Sequence, residues 1–286
     1  MNKKNDFSQK MHSYLRHPAS LIMMILVKLA ALITFTVLIF LIIYILVHGV
    51  PYLKPSLFSL HYNSENASLM PALINTVIMT LLSLLLAVPI GIFSAIFLAE
   101  YAGKGNKFVD IIRLTTETLS GIPSIVYGLF GMLFFVSTCH WGFSLLAGVF
   151  TLAIMILPLI MRTTEEALLS VPDSYREGSF GLGAGKLRTV FYIVLPSAVP
   201  GILAGVILAI GRIVGETAAL IYTAGSVAQV PSSVLGSGRT LAVHMYLLAS
   251  EGLYMDQAYA TAVILLVLVV VINTLSGIVA KRLTKA

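Results

Sequence analysis

Long apolar runs recur along the chain, separated by stretches that hold nearly all of its charged side chains. They cover residues 29–47, 72–99, two parts of 118–161, about 198–222 and about 259–280. At roughly 1.5 Å per residue the first run is about 28 Å long as a helix, close to the bilayer's hydrocarbon thickness of about 30 Å. Because a backbone in lipid must satisfy its own hydrogen bonds, such runs are helical. The pattern therefore predicts an all-α integral membrane protein with six transmembrane helices.

One stretch has to be divided to reach that number. Residues 118–161 contain no charged side chain and are too long for a single span. The polar break His140-Trp141-Gly142 separates a third helix from a fourth. Gly121-Ile122-Pro123 is expected to open the third helix, since proline fits a first turn. That amino end either attracts anions or simply bends the span.

Composition supports the membrane interpretation and excludes other classes. Apolar residues make up 58% of the chain and charged residues 10%, against roughly 45–50% and 25% in soluble domains. A chain of 286 residues cannot bury so much apolar surface in one aqueous core, because a domain of this size still exposes about a quarter of its unfolded surface. A soluble enzyme and a disordered chain are excluded. The single cysteine, Cys139, excludes a disulfide scaffold.

Connections that contain many Lys and Arg residues alternate along the chain with connections that contain one or none. Fourteen Lys and Arg fall in four connections and two fall in the other three. The crowded connections are the N-terminal tail, residues 100–117, residues 162–197 and the C-terminal tail. Basic loops concentrate on the cytoplasmic side, so both termini are predicted in the cytoplasm, with the chain in the cytoplasmic (inner) membrane and in contact with lipid. This placement also explains the net charge of +6, and nucleic acid is not an expected partner.

The same pattern divides the chain into three segments. We predict a cytoplasmic N-terminal tail over 1–20, the first transmembrane helix and an outer loop over 21–71, and a five-helix core over 72–281. Six helices leave no room for a second folded domain. The first helix is not expected to be a cleaved signal peptide, because it is longer than a typical apolar h-region and no small-x-small site follows.

The cytoplasmic connection 162–197 reads as a series of short helices. Thr163 and Glu166 have capping-box spacing, and glycines near residue 183 favour a helix end. Such helices would form a docking surface, or else an ordinary amphipathic loop. The predicted helices cover 163–169, 173–181 and 186–194.

The chain carries no recognisable nucleotide, metal or catalytic motif. Gly185-Lys186 does not fit the P-loop pattern, because Phe180 and Leu187 occupy the positions of its first glycine and its Ser or Thr. Cys139 and His140 alone do not make a metal site. We therefore expect a subunit that is not an enzyme and has no cofactor, with any ATP hydrolysis in a partner subunit.

A family resemblance appears in this connection. Glu177-Gly178-Ser179, Gly183 and Ile193-Val194-Leu195-Pro196 have the spacing of the EAA loop of ABC-importer permeases, with two small residues in place of the alanines. On these residues the chain resembles the binding-protein-dependent transport permeases, CysTW-like. The resemblance implies a type I ABC importer permease fold for 72–281, with a coupling loop over about 163–197. It also implies that Glu177 and Gly183 couple this chain to the ATPase subunit.

Two further stretches narrow the resemblance. Residues 121–128 and 211–218 are similar to the phosphate permeases of the Pst system, the PstA type more than the PstC type. This implies inorganic phosphate import with a homologous PstC-like permease, a dimer of PstB-like ATPase subunits and an extracytoplasmic PstS-like binding protein that docks on the outer connection 223–258. Two alternatives stay open: a permease for another oxyanion, such as sulfate or molybdate, and an ATP-independent single-chain carrier or channel.

A charged pair lies inside the fifth apolar run. Arg212 and Glu216 are spaced i, i+4, so they are expected on one helix face, where they would neutralise each other. A charge at the bilayer centre costs roughly 2.5–3.5 kcal/mol on insertion scales.

One interpretation of this pair is an anion path. A guanidinium suits two phosphate oxygens, and Glu216 would accept a hydrogen bond from a protonated one. The other interpretation is a buried ion pair that only fixes helix packing. Arg162, at the cytoplasmic end of the fourth helix, either lines the exit or follows the positive-inside bias.

Overall fold

The computed structural model describes residues 18–102 and 105–283, and within these ranges the chain is helical, with no β-strand. The predicted tail 1–20 lies outside the described residues except for its last three positions. The helices are α1 Pro18–Gly49, α2 Met70–Ile96, α3 Lys107–Ser120, α4 Ser124–Gly131, α5 Leu145–Leu169, α6 Asp173–Gly181, α7 Lys186–Thr189, α8 Leu195–Val214, α9 Ala218–Ile221, α10 Leu241–Glu251 and α11 Met255–Leu283. Wider π-helical turns extend α2 over Phe97–Tyr101 and α4 over Met132–Thr138, and join α7 to α8 over Val190–Val194.

Five of the six predicted spans are single helical segments long and apolar enough to cross a membrane. They are Ala19–Tyr52, Met70–Tyr101, Leu145–Leu169, Lys186–Val214 and Met255–Ile278. The sixth, third along the chain, is a broken pair in which Lys107–Ser120 and Ser124–Thr138 meet at 102°. The all-α membrane fold is therefore confirmed for the described residues, with five spans, or six if the bent pair counts as one.

The bend falls at Gly121-Ile122-Pro123, where the third helix was expected to open. Pro123 is the N-cap of α4 rather than a residue of its first turn. Proline disfavours helical backbone in the residue before it, so α3 stops short of it. The connection 100–117, counted as a loop, thus contains most of an amphipathic helix.

The first span, α1, lies at the edge of the molecule. None of the residues in the most apolar part of this helix is buried by the rest of the chain, as expected for a surface in lipid. It contacts α11 through aromatic rings, with the Tyr44 and Tyr259 centroids 6.0 Å apart and those of His48 and Tyr259 5.4 Å apart. A Cβ on Gly49 would stand 2.4 Å from the Tyr259 carbonyl oxygen, so only glycine permits this approach.

The core lies between α2, α5 and α8. Met79, Leu152, Ile156 and Ile213 belong to one fully buried apolar cluster. Close crossings also need small residues: a Cβ on Gly205 of α8 would stand 2.0 Å from the Thr163 hydroxyl oxygen of α5. This tight core positions the ends of α2, α5 and α8, where the functional side chains lie.

Two of the helices predicted for the connection 162–197 are wrong. No helix starts at Thr163, because α5 runs unbroken to Leu169 and the Thr163 hydroxyl donates to the Leu159 carbonyl at 2.9 Å. The last predicted helix does not end before Pro196, which stands in the first turn of α8, where a missing N–H is tolerated. The middle helix is confirmed as α6.

The outer connection 223–258 folds back over the amino end of α5. The main-chain N–H groups of Leu145 and Leu146 donate to the carbonyls of Gly236 and Val234, at 3.0 and 2.8 Å. It then forms α10, whose first residues are buried.

Candidate translocation and coupling sites

Arg212 lies in the last turn of α8 and is half-buried. Among the residues that the structure describes, no carboxylate oxygen comes within 4.0 Å of its guanidinium. Gly211 beside it meets no other atom within 4 Å where a Cβ would stand. This side of α8 is therefore left uncovered by the chain's own helices.

Glu216 has a different environment from the one expected. The helix α8 ends at Val214, with Gly215 as its C-cap, because glycine is a poor helix former. The buried Glu216 carboxylate Oε1 accepts hydrogen bonds from the main-chain N–H groups of Thr217 and Ala219, at 3.2 and 3.1 Å. The prediction that Arg212 and Glu216 share one helix face and neutralise each other is wrong, since the helix stops between them and the carboxylate caps α9.

The amino end of α4 lies close to this region. The Tyr127 hydroxyl of α4 donates to the Leu119 carbonyl at 2.8 Å, across the bend. A Cβ on Gly128 would stand 2.7 Å from the Ala219 Cα. The glycine therefore lets the bent third span approach α9, and the two stretches with Pst-like sequence come together.

An apolar groove of ≈ 620 Å³ adjoins the same helices without including Arg212. Thr217 and Ala218 line one side, and Met245 of α10 and Tyr259 of α11 line others. Its apolar lining suits a helix or lipid rather than an anion.

Arg162 lies in α5, facing a cleft of ≈ 250 Å³. Its guanidinium is paired with Glu166 at 2.9 Å, and its side chain is 54% exposed. A second pair, Arg113 and Glu165 at 2.6 Å, lines the same cleft. Arg162 is thus one of several charged residues that line this cleft. The other three, Glu166, Arg113 and Glu165, were not identified from the sequence.

The helix predicted to couple to an ATPase is α6. Glu177 is exposed, and Gly183 adopts φ +83°, a left-handed conformation that glycine reaches without steric cost. Leu182 between them is 91% exposed, and Phe180 and Leu187 are also exposed. An uncovered apolar patch of this kind marks a protein contact.

One of the two substitutions in the EAA-like stretch has a structural partner. The buried Ser179 hydroxyl is 2.8 Å from the Thr189 hydroxyl of α7, so the serine links α6 to the helical segment that leads into the fifth span. Gly178 faces open space, so nothing in this chain requires its small size.

A buried ion pair ties α6 to the second span. Arg176 Nη2 lies 2.6 Å from Glu100 Oε1, with side-chain exposures of 14% and 7%. The hydrogen bond to Glu100 raises the pKa of the Arg176 guanidinium above its ordinary value. Sequence reasoning missed this pair, because nothing in the sequence relates two charges 76 positions apart.

Straight spans, one bent span and an exposed short helix, α6, that an ion pair holds to the second span are typical of one class, the permease subunits of ABC importers. The sequence agrees: residues 87–285 match the family "Binding-protein-dependent transport system inner membrane component". The chain belongs to this family, and it is a multi-pass inner-membrane subunit of the kind that carries no ATPase site of its own.

Named relatives are of two kinds. The chain is 34% identical over 278 residues to a probable ABC transporter permease, YqgI of Bacillus subtilis, covering 90% of this chain and 94% of that one. It is 41% identical over 161 residues to the phosphate transport system permease protein PstA 2 of Mycobacterium bovis. It is 38% identical over 178 residues to PstA of Haemophilus influenzae. The two phosphate permeases are matched over 53% and 62% of their own lengths, and over 56% and 62% of this chain.

Solved structures support the fold. A bacterial ABC transporter for the import of alginate matches with a TM-score of 0.68 over 96% of this chain and 99% of that one, at 17% identity. The MetNI methionine ABC transporter, in an inward-facing form, matches with a TM-score of 0.62 over 76% and 96%, at 23% identity. These likenesses confirm the type I importer permease fold and carry no information on substrate.

Proposed function

We propose that this chain is the transmembrane permease subunit of an ATP-driven importer of inorganic phosphate. Arg212 carries the proposal: its half-buried guanidinium has no carboxylate partner among the described residues and adjoins an uncovered face of α8. The similarity to phosphate permeases named PstA supports phosphate as the substrate. A homologous PstC-like permease would cover the open face and complete the path.

Glu216 has a second role in this proposal. Both of its hydrogen bonds from main-chain N–H groups go to Oε1, which leaves Oε2 to accept a hydrogen bond from a protonated phosphate oxygen. Sulfate carries no such proton near neutral pH, so this acceptor favours phosphate. Arg162, already paired with Glu166, would act at the cytoplasmic exit.

The remaining partners follow from the coupling helix. We expect Glu177, Leu182 and Gly183 to contact a PstB-like ATPase subunit, one of a dimer. Closure of the ATPases on ATP would move α6, and the Arg176–Glu100 and Ser179–Thr189 links would pass that motion to the second and fifth spans. A PstS-like phosphate-binding protein would deliver the anion to the outer connection.

Uptake of radiolabelled phosphate tests the substrate. Cells carrying this chain and its partner subunits are expected to take up phosphate in the presence of excess sulfate. An Arg212→Gln variant at equal membrane level should lose at least about tenfold in uptake, since a hydrogen bond to a charged group contributes roughly 1.5–3 kcal/mol. Arg212→Lys should recover part of it, and Lys54→Gln, which removes an exposed outer charge, should be neutral.

Three outcomes would contradict the proposal. Normal phosphate uptake by Arg212→Gln would show that Arg212 is not needed for transport and serves only in helix packing. Uptake of sulfate or molybdate in place of phosphate would favour the alternative oxyanion permease, which the match to a permease with no substrate in its name leaves open. Transport by this chain alone without ATP would favour a single-chain carrier.

Cysteine labelling tests the proposed orientation. With Cys139→Ser as the background, a cysteine at Ser56 should react with a membrane-impermeant maleimide in intact cells. A cysteine at Ser174, in α6, should react only after the cells are opened. The reverse pattern would show that both termini lie outside.

A further inference from the structure

The outer connection contains a buried cation with unpartnered donors. Arg239 is only 6% exposed, and its Nε and Nη2 have no hydrogen-bond partner. In the described ranges no carboxylate lies within 4.0 Å of it. Its guanidinium carbon is 4.7 Å from the centre of the Tyr62 ring, and that ring contact leaves the donors in the guanidinium plane unused.

The backbone around Arg239 is firmly held. Its main-chain N–H donates to the Val227 carbonyl at 2.9 Å, and its carbonyl accepts from Asn75 Nδ2 at 3.1 Å. The buried position is therefore built into the fold rather than chosen by a free side chain.

Two other buried polar residues of this segment also lack hydrogen-bond partners. His244, the fourth residue of α10, is fully buried, and its ring meets Tyr62 edge-on at 6.1 Å. Neither ring nitrogen makes a hydrogen bond of good geometry, although the main chain of Ala67 lies beside the ring. Thr240, the N-cap of α10, is 2% exposed, and its hydroxyl neither caps the helix nor bonds elsewhere. Tyr62, Arg239, Thr240 and His244 form what we call the Arg239 site.

The electrostatics of the Arg239 site are one-sided. The amino end of a helix carries partial positive charge, and α10 begins two residues after Arg239, with no cap from the Thr240 side chain and with its Leu241 N–H donated to the Thr76 hydroxyl at 2.8 Å. Burial, and then the Arg239 charge, lower the pKa of His244 to about 3, so the ring is neutral near pH 7 and contributes an N–H donor without a negative charge. A buried charge that is not compensated is strongly unfavourable, and water would satisfy the donors without neutralising the cation.

We propose that the Arg239 site binds a small inorganic anion, chloride or orthophosphate, through the guanidinium of Arg239, the hydroxyl of Thr240 and the imidazole of His244. The anion has to be small, because Arg239, Thr240 and His244 are already buried by other residues of this chain. It would join the first outer loop, which carries Tyr62, to the second, which carries α10. The site is separate from Arg212, which lies in α8.

Thermal unfolding tests the proposal. The full chain, purified in detergent with the subunits that accompany it, is heated at pH 7.5 in sodium gluconate, with chloride or phosphate replacing gluconate at constant ionic strength. The melting temperature should rise and saturate with one or both anions. In Arg239→Met, which substitutes an apolar side chain of similar length, the rise with chloride should disappear and the rise with phosphate should fall, whereas Lys54→Gln should keep both.

Further arms distinguish the anions and guard against misfolding. A response to chloride alone assigns chloride, and a response to phosphate alone assigns an oxyanion. Thr240→Val removes one donor and should raise the midpoint anion concentration about tenfold, which keeps the test valid if Arg239→Met does not assemble. No anion response in the wild-type protein, or an equal response in Arg239→Met, would overturn the proposal.

Discussion

Arg176 of α6 and Glu100 at the carboxyl end of the second span form a buried ion pair, with Nη2 and Oε1 2.6 Å apart. The same guanidinium donates to the carbonyls of Leu168 and Val171, at 2.9 and 2.7 Å. One side chain therefore holds the end of α5, the start of α6 and the second span together. If α6 moves, the second span has to move with it or the ion pair breaks.

Glu100→Gln is expected to weaken coupling more than assembly. Removing one partner of a buried pair leaves an uncompensated charge and costs roughly 3–5 kcal/mol. We expect a lower melting temperature and less phosphate taken up per ATP hydrolysed, measured together in proteoliposomes. The control is Asp173→Asn, whose carboxylate also meets Arg176, at 3.3 Å, but is 85% exposed; it should change neither quantity. Uptake per ATP unchanged in Glu100→Gln would argue that the pair is structural only.

The two glycines of the coupling loop should respond oppositely to alanine. Gly183 has φ +83°, where a Cβ costs roughly 1–2 kcal/mol, so Gly183→Ala should lower the melting temperature and weaken ATPase binding. Gly178 is helical with open space around it, so Gly178→Ala should be neutral or stabilise by about 0.5–1 kcal/mol. Differential scanning fluorimetry and co-purification with the ATPase measure both. Equal effects of the two substitutions would be inconsistent with a left-handed turn at Gly183.

Two substitutions of Glu216 separate its roles. Glu216→Ala removes the acceptor that caps α9 and should cost about 0.5–2 kcal/mol. Glu216→Gln keeps an oxygen for the Thr217 and Ala219 N–H groups, so its melting temperature should stay near that of the wild type. If the carboxylate also recognises a protonated phosphate, Glu216→Gln should weaken the preference for phosphate over sulfate in competition uptake. An unchanged preference would limit Glu216 to capping.

His244 should make stability depend on acidity. Its pKa falls from 6.5 to about 3 in the folded chain, so the unfolded chain binds the extra proton between these values. Stability is then fully present above about pH 6.5 and declines as the pH falls towards 3, by at most about 1.4 kcal/mol per pH unit for one group. The groups facing this ring are Arg239 and Tyr62.

Melting temperatures in gluconate buffers between pH 7.5 and 4.5 measure this dependence. His244→Asn should flatten the decline. A control at His61, an exposed histidine of the first outer loop, should leave it intact. A slope that is the same in His244→Asn would assign the acid sensitivity to other groups.

Sequence alone was sufficient for the apolar spans and for the middle helix of the connection 162–197. An apolar run of about twenty residues has one stable conformation in lipid, because each main-chain group must find its partner within the same helix. That rule is local, so the spans could be counted residue by residue. The left-handed glycine at Gly183 is also a local property, and the middle helix of the cytoplasmic loop formed as expected.

What the tertiary structure decided was the partner of each charged side chain. Arg212 and Glu216 are four positions apart yet make no ion pair, since the helix stops at Val214 and main-chain N–H groups take the carboxylate. Arg176 found Glu100 in another span, and Arg239, one basic residue in an outer loop by sequence, is buried among unpartnered groups. The hydropathy of a segment is a sum over its own residues, so it can be read from the sequence. The energy of a charged side chain depends instead on the groups within a few ångströms of it, and the packing of the folded helices decides which groups those are.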